Sequence, residues 1–331
     1  MRNPRKIFQA IYDRLTIKAN RGPIGVGLIG VGGWGYSSAM NIMRSKRFNI
    51  VGVHDLHEEP AHRFANRFNT HCFNRVDELL AAPDIQAVCV AVPNHFHAKL
   101  VKTVADAKKH IFIEKPLASL PDVCSELGQY CQDKQVILQV GHQMRRDPAF
   151  REIKRILDNR ELGRTLFVQG VSTLDRQNRN DWRKDPDSCP CGSMEQLGAH
   201  LIDVLLYLFG SPRKSHGWAK NIPFRSDTPD WGFVSLLFDH DIRAAVSTSF
   251  SSPAHMRMEF FCERGHLATD GQRLWINSVD STAMTCKPKG MPGGVAQFVE
   301  FANCIEHGQA PETGAAQARV VIDAVCSIKT E

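Results

Sequence analysis

A glycine-rich segment near the N-terminus restricts the fold of this chain more than any other feature of the sequence. The segment reads Gly30-Val31-Gly32-Gly33-Trp34-Gly35 and has the spacing G-x-G-x-x-G. It follows the β-rich run Ile24–Ile29 and precedes residues 36–44, which we expect to be helical. A strand, this spacing and a helix in that order form the context in which such a segment binds a dinucleotide. The sequence therefore predicts that a βαβ unit begins at residue 24.

Each position of this loop has a physical reason in that interpretation. Gly30 permits the tight turn, Gly32 lets the backbone approach a pyrophosphate, and Gly35 lets helix and strand pack closely. The N-terminus of the helix offers free N–H groups and a partial positive charge to the anion. Gly33 and Trp34 complete the predicted cofactor-binding segment. Glycines that serve only a tight turn are the alternative.

The second β-rich run, residues 49–53, is followed by an acidic residue that bears on the choice of cofactor. Asp55 stands 20 residues after Gly35. A carboxylate there can accept hydrogen bonds from the ribose hydroxyls of NAD and would repel the 2′-phosphate of NADP. His57 is a neighbour that could soften that repulsion. We therefore expect NAD, with NADP as the alternative, and a surface aspartate as the purely structural interpretation.

The remaining pattern divides the chain into two parts. From residue 24 to about 146, β-rich runs alternate with helical stretches, which indicates a parallel sheet covered on both faces. From about 147 to 331, consecutive β-rich runs are joined by short turns, which indicates an antiparallel sheet. A chain of 331 residues is long enough for two such domains. We expect an α/β protein with its boundary near residues 145–147.

Residues 1–23 precede the first strand and form a basic arm. Gln9, Asp13 and Arg14 interrupt its apolar residues, so it lacks the continuous apolar region of a signal peptide. Apolar residues four apart predict a short surface helix. An arm that packs on a partner subunit is the alternative.

Composition excludes several classes of protein. The net charge of +6 is too small and dispersed to indicate nucleic-acid binding. No run approaches the 18 apolar residues of a membrane-spanning helix, so we expect no membrane association. The ten cysteines lack paired C-x-x-C spacing, which argues against a metal site and favours a reducing, cytoplasmic compartment. Cys189-Pro-Cys191 is the one close pair; we interpret it as loop thiols, with a redox or metal site as the alternative.

Four motifs in order carry a resemblance to a known family. They are the glycine loop 30–35, Val92-Pro93-Asn94-His95-Phe96-His97, Glu114-Lys115-Pro116-Leu117-Ala118 and Gly198-Ala199-His200-Leu201-Ile202-Asp203. From residue 24 onward, the chain resembles the glucose–fructose oxidoreductase, inositol 2-dehydrogenase and MocA (Gfo/Idh/MocA) family. The resemblance implies an N-terminal Rossmann dinucleotide-binding domain and a C-terminal α/β domain with an open, mostly antiparallel sheet. It also implies homodimers or homotetramers.

The resemblance further implies roles for individual residues. Lys115 would lie between the nicotinamide and the substrate hydroxyl, and the Lys115–Pro116 peptide bond would be cis. His200 would be the catalytic base. Further residues would contact the cofactor: Pro93, Asn94, His97, Glu114 and Gln143. The sequence alone agrees on the place of Lys115, since it ends a β-rich run at the ligand edge of the predicted sheet.

One position departs from the family pattern. Gln196, His200 and Asp203 are spaced to share one face of a helix, and we expect all three near the substrate. Many sugar and polyol dehydrogenases of the family carry aspartate at the position of Gln196. Glutamine can donate a hydrogen bond to a hydroxyl but cannot take its proton. Lys115 and His200 would then manage the proton between them, or Glu195 would turn inward.

Three further residues are candidates for substrate binding. Trp182 and Arg183 lie in a polar loop just before the His200 helix, where an indole can stack on a sugar and a guanidinium can clamp a hydroxyl or carboxylate. Arg145 lies at the predicted domain junction. The alternatives are a loop that packs on its own domain and an ion-paired surface arginine.

These features together favour an NAD(P)-dependent dehydrogenase. It would transfer a hydride between nicotinamide and a secondary hydroxyl or ketone of a sugar, polyol or sugar derivative. Two alternatives stay open. One is a glycosidase or epimerase that retains NAD and oxidises its substrate only transiently. The other is a regulatory protein that senses NAD without catalysis, against which the presence of both Lys115 and His200 argues.

Overall fold

The computed structural model describes residues 22–177, 182–222 and 227–330. The arm expected at 1–23 therefore lies outside the described residues, except for residues 22 and 23. Part of the loop that precedes Trp182 lies outside them as well.

Within the described residues, six parallel strands form the first sheet in the order β3-β2-β1-β4-β5-β6. These strands are β1 (Ile24–Ile29), β2 (Phe48–His54), β3 (His71–Cys72), β4 (Ala87–Val90), β5 (His110–Ile113) and β6 (Leu138–Val140). The helices between them are α1 (Gly33–Ser45), α2 (Glu58–Phe68), α3 (Val76–Ala81), α4 (His97–Asp106) and α5 (Pro121–Asp133). This alternation confirms the predicted Rossmann-like sheet. All four residues of β4 are buried, as expected for a strand covered on both faces.

A second, larger sheet follows and confirms the predicted change of architecture. Within the described residues, its nine strands lie in the order β14-β13-β12-β11-β7-β10-β9-β8-β15. They are β7 (Thr165–Thr173), β8 (Lys214–Lys220), β9 (Trp231–Leu237), β10 (Arg243–Ser249), β11 (His255–Cys262), β12 (Gly265–Thr269), β13 (Leu274–Ser278), β14 (Ser281–Cys286) and β15 (Ile328–Thr330). The pairing is antiparallel except for β7 with β10 and β8 with β15, which are parallel.

One face of this sheet is covered by helices α6 (Pro148–Asp158) and α7 (Ala199–Phe209). The apolar residues of α6 recur at helical spacing, and Phe150, Ile153 and Ile156 are all buried. They share one core with Leu201 and Leu205 of α7. This helix starts at Pro148, in line with the preference of proline for the first turn.

The last two helices return to the first sheet. They are α8 (Gly293–His307) and α9 (Ala315–Cys326). The ring of Phe298 on α8 lies 4.4 Å from that of Phe112 on β5, measured between centroids. Ile322 on α9 belongs to the core under the first sheet, whereas Val325 belongs to the core of the second. These helices therefore bind the two sheets together. No helix in the described part of the chain combines the length and apolarity needed to cross a bilayer.

Candidate active site at the edge of the parallel sheet

The glycine loop follows β1, and two of its glycines are required by close packing. Gly30 has φ +90°, and a Cβ there would lie 2.4 Å from the carbonyl oxygen of Ala91. A Cβ on Gly35 would lie 2.0 Å from the carbonyl oxygen of Gly30. Both distances are far below van der Waals contact, so neither position tolerates a side chain without local movement. They produce the tight turn and the close helix–strand packing that the spacing predicts.

The other two glycines of the loop face open space. A Cβ built on Gly32 or Gly33 would meet nothing within 4 Å. Gly32 is the N-cap of α1 and gives the first turn no side-chain cap. Free N–H groups at a helix N-terminus, with no side chain above them, are suited to a phosphate. The loop therefore fits the pyrophosphate of a dinucleotide.

Asp55 lies just after β2, beside the glycine loop. Its Oδ2 accepts a hydrogen bond from the Val31 N–H at 2.8 Å, and its Oδ1 accepts one from the His57 N–H at 3.0 Å. These contacts fix the carboxylate, and each oxygen keeps a second lone pair for a ribose hydroxyl.

A cavity of about 1010 Å³ runs from Asp55 along the ends of the parallel strands to the start of the His200 helix. Its wall contains many of the residues expected from the sequence: Gly30, Gly32, Gly33, Trp34, Asp55, Pro93, Asn94, Glu114, Lys115, Trp182, Arg183 and Gln196. Among the described residues, several other expected site residues do not line it: Gly35, His97, Gln143, Arg145, His200 and Asp203.

Lys115 follows β5 and lines this cavity. The Lys115–Pro116 peptide bond is cis, as the family resemblance implies. The side chain is nine-tenths buried, and its Nζ donates a hydrogen bond of 2.8 Å to the backbone carbonyl oxygen of Gln196. Burial lowers the pKa of Lys115 to about 8, against the raising effect of Glu114 and with a further lowering by Arg183. The amine therefore titrates close to physiological pH.

Glu114 lies beside Lys115 on the cofactor side of the cavity. Its carboxylate accepts a hydrogen bond of 3.1 Å from Ser38 on α1. Burial raises the pKa of Glu114, while the positive charge of Lys115 opposes the shift. This contact ties the helix of the glycine loop to the strand that carries Lys115.

His97 was expected to contact the cofactor, but its ring lies in the protein interior. Nδ1 is 2.6 Å from the Pro116 carbonyl oxygen, and Nε2 is 3.0 Å from the Val92 carbonyl oxygen. Burial lowers its pKa to about 4. The imidazole thus joins the loop after β4 to the cis-proline loop. Gln143, also expected at the cofactor, is half-buried, and its backbone carbonyl packs against Gly293 of α8.

The segment before α7 departs from the single regular helix that the sequence predicts. Residues Met194–Gly198 form a π-helical turn, and the α-helix begins at Ala199. Gln196 therefore lies in the wider turn, where its carbonyl oxygen meets Lys115. Such turns concentrate at functional sites. Its side-chain Oε1 accepts a long hydrogen bond of 3.4 Å from Arg183, and its buried Nε2 has no partner among the described residues.

His200 is not among the residues that line the cavity, although the residue is partly exposed. Burial lowers its pKa well below the usual value, and the positive charge of Lys115 and the neighbouring His142 lower it further. The imidazole is therefore neutral at physiological pH. Its Nδ1 is buried and has no hydrogen-bond partner in the described part of the chain. A neutral ring with a free nitrogen can accept a proton.

Arg145 and Asp203, both expected to bind substrate, instead bind each other. Arg145 Nε and Nη2 donate to the two carboxylate oxygens of Asp203 at 2.9 and 2.5 Å. Both residues are nearly fully buried. Asp203 Oδ1 is also 3.6 Å from Nδ1 of His142. Because α7 carries both Asp203 and His200, this pair fixes the His200 helix to the segment that follows β6.

The polar loop contributes Trp182 and Arg183 to the cavity wall, as expected. The Arg183 guanidinium lies 4.2 Å from the centre of the Trp182 indole ring. Arg176 also lines the cavity, and sequence reasoning missed it. A single arginine in a loop carries no spacing signal. No group of three His, Cys, Asp or Glu side chains suited to a metal ion occurs in residues 22–177, 182–222 and 227–330.

Comparison with known proteins agrees with this arrangement. Residues 24–142 match the model of an oxidoreductase family with an NAD-binding Rossmann fold, and residues 150–268 match the model of the Gfo/Idh/MocA C-terminal domain. Together the two matches cover most of the chain.

Two curated proteins and one solved structure illustrate the similarity. The uncharacterized oxidoreductase YrbE of Bacillus subtilis is 28% identical over 80% of this chain and 78% of its own length. The scyllo-inositol 2-dehydrogenase (NAD(+)) of the same species is 25% identical over 86% of each chain. A levoglucosan dehydrogenase in complex with NADH and levoglucosan superimposes with a TM-score of 0.84, at 21% identity, over 92% of this chain and 96% of its own.

Proposed function

The chain belongs to the Gfo/Idh/MocA oxidoreductase family, and from that premise we propose that it oxidises a secondary hydroxyl of a sugar, polyol or sugar derivative with NAD, or reduces the matching ketone. The observation that carries the proposal is the position of Lys115. Lys115 lines the same cavity as the glycine loop, which is suited to a dinucleotide, and as the Trp182–Arg183 loop. A substrate oxygen bound there would lie beside both.

The cofactor end of the cavity supports NAD. Gly32 and Gly33 leave room for the pyrophosphate, and Asp55 would accept the ribose hydroxyls while repelling a 2′-phosphate. Pro93, Asn94 and Glu114 in the wall would position the nicotinamide end. When bound, NAD supplies the acceptor for a hydride.

Residues of the protein would accept the proton that the substrate hydroxyl releases. In alcohol oxidation the substrate carbon loses a hydride, which carries both electrons to NAD, and its hydroxyl loses one proton, which a base of the protein accepts. The protonated Lys115 donates a hydrogen bond to the oxygen and stabilises the developing negative charge. The neutral imidazole of His200 takes the proton, and ketone reduction runs the same steps in reverse. Gln196 donates from its unpartnered Nε2 to a hydroxyl but takes no proton.

The substrate end supports a hydroxyl-rich ligand. Trp182 offers an apolar face to the C–H groups of a sugar ring, and Arg183 and Arg176 offer guanidinium donors. Arg145, Asp203 and His97, which do not line the cavity, would hold in place the loops and the helix that carry the reacting groups. We place the cofactor half at residues 24–146 and the substrate half at 147–331.

A second copy of the chain is the proposed partner. The face of the large sheet opposite α6 and α7 exposes Phe167 and Trp218 at about 40% each. Phe167 stacks on Phe261 with ring centroids 4.2 Å apart, and Trp218 stacks on Phe233 at 5.6 Å. Extended apolar faces of this kind are typical of subunit contacts. This supports the homodimer or homotetramer that the family resemblance implies.

A substrate panel tests the proposed activity. Purified protein is incubated with NAD or NADP and with inositols, aldoses, anhydrosugars, sugar acids and sugar phosphates, and NADH or NADPH formation is followed by absorbance. We expect at least one compound to give turnover, faster with NAD. Tight NAD binding without turnover on any of them would contradict the proposal. Conversion of a sugar with NAD retained and no NADH released would instead favour transient oxidation.

A further inference from the structure

Glu195 is a buried carboxylate that the mechanism above does not use. It lies in the π-helical turn directly before Gln196, and only 1% of its surface is exposed. Glutamate is rarely so buried unless it is paired. Its contacts therefore need an explanation.

The carboxylate joins three separate segments of the active site. Oε1 accepts hydrogen bonds from Asn94 Nδ2 at 2.7 Å and from Ser119 Oγ at 3.2 Å, and Oε2 accepts one from the Cys191 backbone N–H at 3.3 Å. Asn94 belongs to the turn after β4 and lines the cofactor cavity. Ser119 belongs to the loop that starts at the cis proline. One side chain thus links the cofactor loop, the Lys115 loop and the segment that leads into the His200 helix.

The three contacts match the ionised form of Glu195. Each partner is a donor, and an ionised carboxylate is an acceptor-only group. Burial raises the pKa of Glu195, whereas these hydrogen bonds and the positive charge of Lys115 lower it. Hydrogen bonds to a charged group of this kind are stronger than neutral ones and have a more fixed geometry.

We propose that Glu195 is a positioning residue that holds Asn94 against the Lys115 loop and the start of the catalytic helix. The inference rests on the proposed function, because Asn94 is the residue through which Glu195 would fix the nicotinamide relative to Lys115 and His200. Displacement of about 1 Å between reacting groups can reduce a rate about 100-fold. Loss of this rigid link between the two sides of the cavity should therefore reduce the rate of hydride transfer.

The charge of Glu195 has a second, measurable effect. It raises the pKa of Lys115 and so opposes the larger effect of burial. The other charged or titratable groups facing Lys115 are Glu114, Arg183, Cys189, His97 and the histidines 142 and 200. The thiols facing Glu195 are those of Cys189, Cys191 and Cys326. Loss of the Glu195 charge would lower the pKa of Lys115 while all of these groups remain.

A double-mutant cycle of Glu195→Gln and Asn94→Ala in the full-length protein tests the link. We expect each single variant to reduce kcat about 10- to 100-fold, with the Kd for NADH within about threefold of wild type in Glu195→Gln, since Glu195 does not line the cavity. The double variant should be no worse than the poorer single one, because both changes break one connection. Glu126→Gln, an exposed glutamate on α5, is the matched control and should behave as wild type. Multiplicative losses in the double variant would overturn the inference.

A pH series separates positioning from a general effect on stability. The alkaline limb of kcat/KM should move to lower pH in Glu195→Gln and stay in place in Glu195→Asp, which keeps the charge but shortens the side chain. Both variants are made in a Cys326→Ser background, which removes the exposed thiol of Cys326 near Glu195. If Glu195→Gln does not fold, Glu195→Asp carries the test alone: a wild-type kcat in that variant would overturn the positioning role. An alkaline limb that does not move in Glu195→Gln would contradict the charge effect.

A readout without turnover distinguishes this inference from the proposed function. The fluorescence of bound NADH reports the environment of the nicotinamide. Glu195→Gln and Asn94→Ala should change it alike, and the double variant should add nothing. If wild type binds NADH but oxidises no polyol, the proposed function fails while this comparison still decides the link. Bound NADH with wild-type fluorescence in Glu195→Gln would overturn it.

Discussion

The ammonium nitrogen of Lys115 donates a 2.8 Å hydrogen bond to the backbone carbonyl oxygen of Gln196. The two residues are 81 positions apart and belong to the two halves of the molecule. The bond uses one of the three N–H donors of the lysine and fixes its direction, so the others can face a substrate oxygen. The cis-proline loop and the π-helical turn together therefore orient the Lys115 side chain.

Replacement of Lys115 by methionine tests its role most simply. The variant keeps much of the apolar stem but loses the charge that polarises the oxygen. We expect kcat/KM to fall about 10²- to 10⁴-fold, with the Kd for NADH changed little. Lys99→Met, at another part of the same cavity wall, is the matched control. Equal losses in both variants would show that charge in the cavity matters, but not charge at position 115.

The pH dependence of alcohol oxidation follows from two groups. His200 must be neutral to accept the proton, and its pKa lies well below 6.5. Lys115 must be protonated to polarise the oxygen, and its pKa is about 8. We therefore expect kcat/KM to be flat near neutrality, to fall above about pH 8 and to fall on the acid side only well below pH 6.5. Activity that rises through pH 8 would assign the base to Lys115 instead.

Two glycine-to-alanine variants should lose different properties, NADH binding in one and stability of the fold in the other. Gly32→Ala points a methyl group into open space, so the fold should be unchanged while NADH binding weakens. Gly35→Ala brings a methyl group within 2.0 Å of the Gly30 carbonyl oxygen, so the loss should be in stability. Thermal unfolding and NADH titration on both variants check this. Tight NADH binding by Gly32→Ala would place the pyrophosphate elsewhere.

Asp55→Asn should weaken the preference for NAD. The amide keeps an acceptor for the Val31 N–H but loses the negative charge that repels a 2′-phosphate. We expect the ratio of kcat/KM for NAD to that for NADP to fall about 10-fold or more. Asp122→Asn, on α5, serves as the control. An unchanged ratio would mean that another group selects the cofactor.

The buried pair of Arg145 and Asp203 should matter for stability. Arg145→Met leaves the Asp203 carboxylate buried and unpaired, which should cost about 3–5 kcal/mol in the free energy of unfolding. The double variant with Asp203→Leu should lose less, because no charge is then left alone. Arg151→Met removes an exposed partner of Glu312 and should cost at most about 1 kcal/mol. Chemical denaturation compares the three, and an equal cost for Arg145→Met and Arg151→Met would contradict this assignment.

Elements of the fold whose hydrophobic pattern repeats over several residues could be predicted from the sequence. The alternation of runs up to β6 and the short-turned strands after β7 gave both sheet types correctly. Strand β3 has only two residues, too few for any period to appear. The π-helical turn at Met194–Gly198 was also missed, because one extra residue per turn leaves no mark on the apolar spacing. Strand β15 escaped notice because it is a short edge strand after a long helix.

The candidate site shows the same limit, because residues in local motifs could be predicted and long-range contacts could not. Gly32, Asp55 and Lys115, which belong to local motifs, all line the cavity described above. The partner of Arg145 could not be predicted, because Asp203 is 58 positions away and only the packing of α7 brings the two together. The same applies to Glu195 and Asn94, which are 101 positions apart. Long-range polar contacts of this kind depend on tertiary structure, on which local sequence patterns carry no information.

Hydride transfer between a substrate carbon and NAD beside Lys115 is the step on which the proposed function depends. The most direct measurement uses a substrate found in the panel, labelled with deuterium at the reacting carbinol carbon, and mass spectrometry of the NADH produced. We predict that the deuterium appears on the nicotinamide of NADH with wild-type protein and that Lys115→Met abolishes this transfer. NADH that carries no deuterium, or full transfer in Lys115→Met, would contradict it.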